Sequence, residues 1–490
     1  MLRQNIAIQD VPDAVSGVIR SRMAGVPRST RTALLVGALL GTEFLAAVAA
    51  VVLHLDPAEV ARDLDPALRA GLIATGNPGR FRFSHGLVRD AVAAQITGVA
   101  RAQLHADIAR AYAARDGIAV EESFAAADHA WRAGTELEPE IALDLLDRAL
   151  AAAWERSGYR DIAELSMHGL DACARLQPGG PRHEREAHLW LQLVSVEAVT
   201  KGQNSQAVRG ALRRLGDISS RTEQLSLESA FRCLEASGSG RYREAAVLAE
   251  GLITVHRENG EPIAGSAGYY LRGLVEFFRN ELEVSVASIE TLLHELPPVD
   301  WQRHGHLSAF DVRGHGVAVW TAAVQGDATA ADAWAQRGIA LGDARNDLFG
   351  KAIVRISALQ ARAIMGQVDG TAPLARAVHA ELTELGINQL AASAQIIEGW
   401  ALGREGADTS AAVRAAIDAH TQDATQIFLP MYYLLLADTE AAQGRWEAAE
   451  EAIRTAETIA SATGERVWDG QLVARRKNLR ATDRSGWIRA

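Results

Sequence analysis

Cysteine, lysine and proline are all scarce in this chain, and each scarcity excludes something. Cys173 and Cys233 are the only cysteines. Their wide separation excludes a disulfide framework and a cysteine-ligated metal site, and fits a reducing, cytoplasmic compartment. Thirteen prolines in 490 residues, 6% aromatic content and few runs of Val, Ile and Thr argue against a β-rich fold and predict an all-α one. Lys201, Lys351 and Lys477 are the only lysines among 50 basic residues, so arginine supplies almost all positive charge. The formal net charge of -11 denies the whole chain the electrostatic footprint that binding a phosphate backbone requires.

Motifs that carry chemistry are missing too. The only Gly-Lys pair, Gly350-Lys351, has Arg345 where a phosphate loop needs its first glycine and Ala352 where it needs Ser or Thr. Without that loop the chain holds no ATPase core of its own, and no cofactor is expected. There is no G-x-S-x-G elbow and no H-E-x-x-H, so no catalytic residue is assigned and an enzyme is not expected. The longest weakly charged stretch, Ala33 to Leu55, contains only Glu43 as a charged side chain, but Gly41-Thr42 interrupts it. Two core helices of roughly ten residues each fit it better than a membrane span. The amino terminus has no apolar signal segment, so export is not expected.

What is present begins with short helices. Val11-Pro12-Asp13 opens one bearing Val15, Val18, Ile19 and Met23 on one side, and Pro27 to Thr30 closes it and starts the next. A third helix follows Thr42. Asp56-Pro57 caps a fourth, with Val60, Leu64 and Leu68 at helical spacing. Gly71-Leu72-Ile73 then enters a hairpin turned at Gly76-Asn77-Pro78-Gly79, leading into R-F-R-F-S-H-G-L-V-R-D-A-V from Arg80 to Val92. Short helices ending in a two-stranded wing make a winged-helix layout, predicted for residues 1–97, with linker helices over 98–135.

Helix pairs dominate the remainder. Leu143, Leu146, Leu150 and Trp154 form one helical stripe, and Ser157-Gly158-Tyr159 turns into a partner helix with Ile162, Leu165 and Cys173. Comparable turns recur at Lys201-Gly202, Gly240, Asn280, Gly326, Gly366, Gly406 and Gly444, at near-regular spacing. Such a period predicts an α-solenoid of about eight repeats over 136–480, in which each pair buries an apolar face it cannot bury alone. Gly240-Arg241-Tyr242-Arg243-Glu244-Ala245 and Gly444-Arg445-Trp446-Glu447-Ala448-Ala449 resemble tetratricopeptide units. Stacked repeats of this kind expose a long concave surface.

The ordered elements V-P-D-A-V, I-R-S-R-M, A-L-L-V-G-A-L-L-G-T-E-F, A-G-L-I and F-R-F-S-H-G-L-V-R-D-A-V resemble the winged-helix segment of STAND-type signalling ATPases, especially large LuxR-type regulators. The stretch from Ile427 to Leu472 resembles the closing repeat of the same regulators. The resemblance implies a regulatory sensor and interaction scaffold whose repeats take a protein or peptide partner or a small effector. It also implies a role for His85, which stands where a histidine of the M-H-D motif contacts nucleotide phosphate. Here Ser84-His85-Gly86 keeps the histidine and lacks the acid. His85 has such a role only if an ATPase core is supplied in trans; otherwise it is a histidine hydrogen-bonded at a helix start.

Three further features are weighed. His304, His306 and His315, near Asp300 and Asp311, form the densest cluster of metal-ligand types, but their spacing matches no metal site, and a polar inter-repeat loop is expected. Trp320, Trp334 and Trp400 are aromatic candidates for the repeat surface, none assigned to a ligand. Arg475, Arg476, Lys477, Arg480, Arg484 and Arg489 face only Asp483 after Ala474, and read as a solvated helix end with a basic tail over 481–490. That tail is too short for a helix-turn-helix, so direct sequence-specific DNA binding is not expected. An enzyme with an unrecognised site around His304 and His306 is the alternative from another class.

Overall fold

The computed structural model describes residues 19, 21–115, 117–156, 158–219, 222–297, 299, 309–422 and 425–480. The chain forms two compact units, Met1–Arg182 and His183–Ala490. Among the described residues no helix is long and apolar enough to cross a membrane.

The amino-terminal unit begins with α1 (Arg28–Leu40), β1 (Glu43–Leu45), α2 (Ala46–Leu53), α3 (Pro57–Arg69), β2 (Ile73–Thr75), β3 (Arg80–Phe83) and α4 (Gly86–Ala93). The helix expected from Val11 falls largely outside the described residues. Asp56 caps α3 as its sequence predicts: its carboxylate accepts from the Ala58 amide at 2.8 Å, and Glu59 accepts from the Asp56 amide at 3.1 Å. The hairpin is part of a three-stranded antiparallel sheet with β3 in the middle, pairing Phe44 with Phe81 and Ile73 with Phe83. β1 is a correction to the sequence reading, which ran a helix straight on from Thr42. Gly41, at φ 140, ends α1, and the next three residues lie extended so that Phe44 enters the core. Its ring sits 5.9 Å from that of Phe81 and presses on Gly37, where a Cβ would come within 2.6 Å of it.

Four helices complete this unit: α5 (Gly98–Ala113), α6 (Val120–Ala133), α7 (Pro139–Glu155) and α8 (Tyr159–Cys173). Leu143, Leu146, Leu150 and Trp154 are buried along α7, and Ile162, Leu165 and Cys173 along α8. This first pair of the predicted array falls within the amino-terminal unit, since the division comes at Arg182.

The carboxy-terminal unit is a run of helix pairs: α9 (Gly180–Thr200) with α10 (Gln206–Ile218), α11 (Thr222–Gly238) with α12 (Tyr242–Asn259), and α13 (Pro262–Phe278) with α14 (Leu282–Glu290). After one π turn at Thr291–Glu295 come α15 (Phe310–Val324) with α16 (Ala328–Ala344), α17 (Leu348–Ile364) with α18 (Thr371–Glu384), and α19 (Asn388–Arg404) with α20 (Ser410–His420). α21 (Leu429–Ala442) with α22 (Trp446–Thr463), and then α23 (Asp469–Arg480), close the series. Odd-numbered helices from α11 to α21 each contact the next odd-numbered one, and so form an inner layer.

The turns inside the pairs share one chemistry. Gly202, Gly240, Asn280, Gly326, Gly366, Gly406 and Gly444 all have positive φ, a backbone state that glycine and asparagine reach most cheaply. From Gly240 onward the residue after each donates its amide five positions back, as Arg241 does to Ala236 at 2.8 Å and Arg445 to Glu440 at 2.9 Å, which satisfies the last carbonyls of the helix. Gly158, the first of the predicted series, has φ -77 and does not share that geometry.

The expected long concave surface takes a different form, because the inner layer curls until distant turns meet. The Gln426 amide donates to the Gly238 carbonyl at 2.7 Å, and the Arg466 amide to that of Phe278 at 2.8 Å. Tyr242 donates to Glu465 at 2.8 Å across 223 residues of sequence. Close helix packing permits this curvature. A Cβ on Gly268 would lie 2.9 Å from the Ile253 backbone, and one on Gly338 2.6 Å from His315. Interior helical glycine costs about 1 kcal/mol relative to alanine, so its presence at such contacts reflects a need for space.

Candidate functional site

His85 lies exposed at the start of α4, with φ -147, and its side chain makes no capping hydrogen bond; its carbonyl accepts from Val88 at 3.0 Å. The bonded histidine expected at this helix start is therefore not what forms. Arg89 pairs instead with buried Asp90, and Arg82 faces solvent.

Asp300, His304 and His306 lie outside the described residues. His315 is buried on α15, its Nδ1 2.8 Å from the Asp311 carbonyl, with its ring edge-on to Trp334. Asp311 pairs with Arg345. Among the described residues no cluster of His, Cys, Asp and Glu is arranged to hold a metal ion.

The carboxy-terminal arginines are less solvated than their sequence suggests. Arg475 meets buried Asp438 at 2.8 and 2.9 Å, and Arg476 meets Glu457, so both tie α23 onto the array. Residues 481–490 lie outside the described residues.

The most developed feature is a cavity of about 90 Å³ where the inner helices converge. A water needs about 10–15 Å³ on the same measure, so the space holds several waters or a small ligand. Helix α9 contributes Ala198 and Val199, α11 Leu234, α13 Tyr270 and Leu274, and α15 Arg313 and Trp320. Along α17, Phe349, Ile353, Ile356 and Gln360 recur at helical spacing on one face. Ser393 of α19, His420 of α20 and Phe428 and Tyr432 at the head of α21 close the wall.

One side is a hydrogen-bonded chain across five helices. The Trp320 indole donates to Gln360 Oε1 at 2.8 Å, and Gln360 Nε2 donates to the Tyr432 hydroxyl at 2.8 Å. Ser393 bonds Tyr432 and lies 3.4 Å from His420 Nδ1, while His420 Nε2 is 3.1 Å from the Ile427 carbonyl. The last contact requires Nε2 to donate, leaving Nδ1 to accept. Burial holds the His420 imidazole down to about 4 and pushes the Tyr432 phenol up to about 12. The chain is therefore uncharged at neutral pH.

Phe428 supplies the most constrained part of the wall. Its φ of 62 is the left-handed state, strained for a bulky side chain. Its ring is buried 4.7 Å from Trp320, 5.0 Å from Phe278 and 5.8 Å from Trp468, contacts that hold the backbone there. Trp468 in turn donates to Glu465 Oε2 at 2.7 Å. Of the tryptophans singled out in the sequence, Trp320 lines the cavity. Trp400 is buried with its indole 3.4 Å from Asp438, and Trp334 packs on a neighbouring core cluster. The remaining wall residues were not foreseen: Phe428 and Tyr432 lie in a stretch noted for its family resemblance, with no local signal of a cavity.

No protein-family model and no curated protein sequence matches the chain. Among solved structures it is similar to a signal transduction ATPase with numerous domains (STAND) protein with a tetratricopeptide repeat sensor from Pyrococcus horikoshii. The match is at 9% identity and a TM-score of 0.48, over 95% of this chain and 67% of that one.

Proposed function

We infer that this chain is a non-catalytic regulatory sensor, whose carboxy-terminal unit takes a small effector into the cavity. The observation that carries the reading is the cavity itself: preformed, largely apolar, with a few fixed polar groups converging on it. An inner face curled this far suits a small molecule better than the protein or peptide partner that an open concave surface would accept. Such a partner would use the outer helices.

The amino-terminal order of helix, strand, helix, helix and hairpin supports a winged helix of the STAND and LuxR type, and with it a role in transcription regulation. An ATPase core supplied in trans would complete the switch, with exposed His85 meeting nucleotide phosphate. No catalytic residue is assigned.

The test is native mass spectrometry and thermal unfolding of the full chain against a panel of small metabolites. A one-to-one adduct that raises the melting temperature, and is lost in a cavity-filling Leu234→Trp variant, supports the reading. Absence of any adduct, or one unaffected by the filling variant, overturns it.

A further inference from the structure

The size of the cavity and the state of its polar groups narrow the class of molecule it takes, an inference that rests on the effector reading above. The chain from Trp320 to His420 is complete in itself. Trp320 donates to Gln360, Gln360 to Tyr432 and His420 Nε2 to the Ile427 carbonyl, with Ser393 standing between Tyr432 and His420 Nδ1. It needs no occupant to satisfy it.

Arg313, the only charged residue among the described lining residues, is engaged as well. Its guanidinium carbon lies 4.9 Å from the centre of the Phe349 ring and 5.7 Å from that of Phe310, and the side chain has a further interaction beyond these rings. An ionised occupant would therefore give up its hydration for a largely apolar wall that holds no counter-charge in reserve. The wall selects against charge.

Tyr270 is the exception among the polar groups. It lines the cavity from α13 at 4% exposure, stacked on Phe310 at 5.3 Å, and its hydroxyl has no hydrogen-bond partner among the described residues. A buried hydroxyl left unpaired is costly, so the space beside it is where a donor or acceptor belongs. Leu274, one turn along the same helix, begins the aliphatic wall that continues through Leu234 and Ile356. Volume limits the rest: about 90 Å³ is several times what one water needs, yet well under the roughly 150 Å³ of an apolar cavity that takes benzene.

We propose that the occupant is a small uncharged organic molecule of about four or five non-hydrogen atoms, with one oxygen hydrogen-bonded to the Tyr270 hydroxyl and a short aliphatic body against Leu274 and the neighbouring wall. The hydroxyl can donate or accept, so an alcohol or a ketone meets it equally.

The test titrates 1-butanol, butyrate, butylammonium and the bulkier 2-phenylethanol into the full chain, followed by ligand-detected nuclear magnetic resonance and thermal unfolding. 1-Butanol should bind one to one, with both ions at least about ten-fold weaker because each must shed its hydration, and 2-phenylethanol should be excluded by size. Tyr270→Phe should keep the fold and weaken 1-butanol by about two- to ten-fold, the worth of one net hydrogen bond. Leu234→Trp should abolish binding; should that variant fail to fold, the Tyr270→Phe comparison still decides. Butyrate or 2-phenylethanol binding as tightly as 1-butanol, and lost in Leu234→Trp, overturns the small uncharged class and leaves the effector cavity standing. An affinity for 1-butanol untouched by Tyr270→Phe does the same, as does binding of no probe at all, which assigns the hollow to water alone against these molecules. 1-Butanol binding that persists in a folded Leu234→Trp variant overturns both.

Discussion

The two units solve the same problem, enclosing the apolar faces of short helices, in opposite ways. The amino-terminal unit packs its rings against one another. Phe44, Phe81 and Phe83 close over a small sheet, and even its buried polar pair, His105 and His129, meets ring to ring with Nδ1 atoms 2.8 Å apart. The carboxy-terminal unit bends its repeats until Tyr242, Phe278 and Gly238 touch the turns around Glu465 and Gln426, and keeps a hollow in the middle. A core packed ring on ring gives stability alone. A hollow one lined by fixed aromatics and an uncharged hydrogen-bond chain gives up some packing in exchange for a place to bind.

The largest effect that can break this comparison is expected at the closure. Trp468 is fully buried among Phe277, Phe428 and Glu465. Trp468→Ala should cost the carboxy-terminal unit about 3–5 kcal/mol by denaturant unfolding, leaving the amino-terminal transition in place. A loss shared equally by both transitions would contradict the separation drawn between them.

Acid should sharpen it next. Two protons cannot occupy facing Nδ1 atoms, and burial first holds both His105 and His129 well below the usual 6.5, followed by the His129 ring for His105 and by Arg132 for His129. Their native state binds fewer protons than the unfolded chain, so their stability is present above pH 6.5 and lost as pH falls below it. Glu465 has the opposite sign. Burial raises its carboxyl to about 7 from 4.5, so its native state binds more protons between those values, and stability rises as pH falls through 7. His420, held down to about 4, and His315, also held down by burial, oppose it within the same unit. Calorimetry from about pH 7.5 to 5 should show the amino-terminal transition falling more steeply than the carboxy-terminal one. Glu465→Gln should remove the compensation, so that the second transition falls further.

Two glycine substitutions should differ in sign and be smaller. Gly444→Ala places a Cβ at φ 73 and should destabilise by about 1 kcal/mol or more. Gly251→Ala, on exposed helical backbone with open space around it, should stabilise by about 0.4–1 kcal/mol. Thermal unfolding measures both.

The repeat turns were legible in the sequence because a helix that ends in the left-handed state nearly always places glycine or asparagine there. The apolar stripe of α7 was legible for the same local reason, helical spacing. Closure was not, since Tyr242 and Glu465 are 223 residues apart and neither has a local signal. Nor was the site. Phe428 holds a backbone state that its side chain disfavours, and the partners that hold it there come from two other helices and the turn before α23. β1 was missed because Glu43-Phe44-Leu45 is too short to show a period, and only the Phe81 ring reveals which way Phe44 points.

The most direct test of the closure that makes the cavity is a distance measured in solution between spin labels at Arg243 and Ala462, in a background lacking the two buried cysteines. The account predicts one short, narrow distance, because Gly240 and Thr463 are in contact. A long or broad distribution, as an open stack of repeats would give, contradicts it.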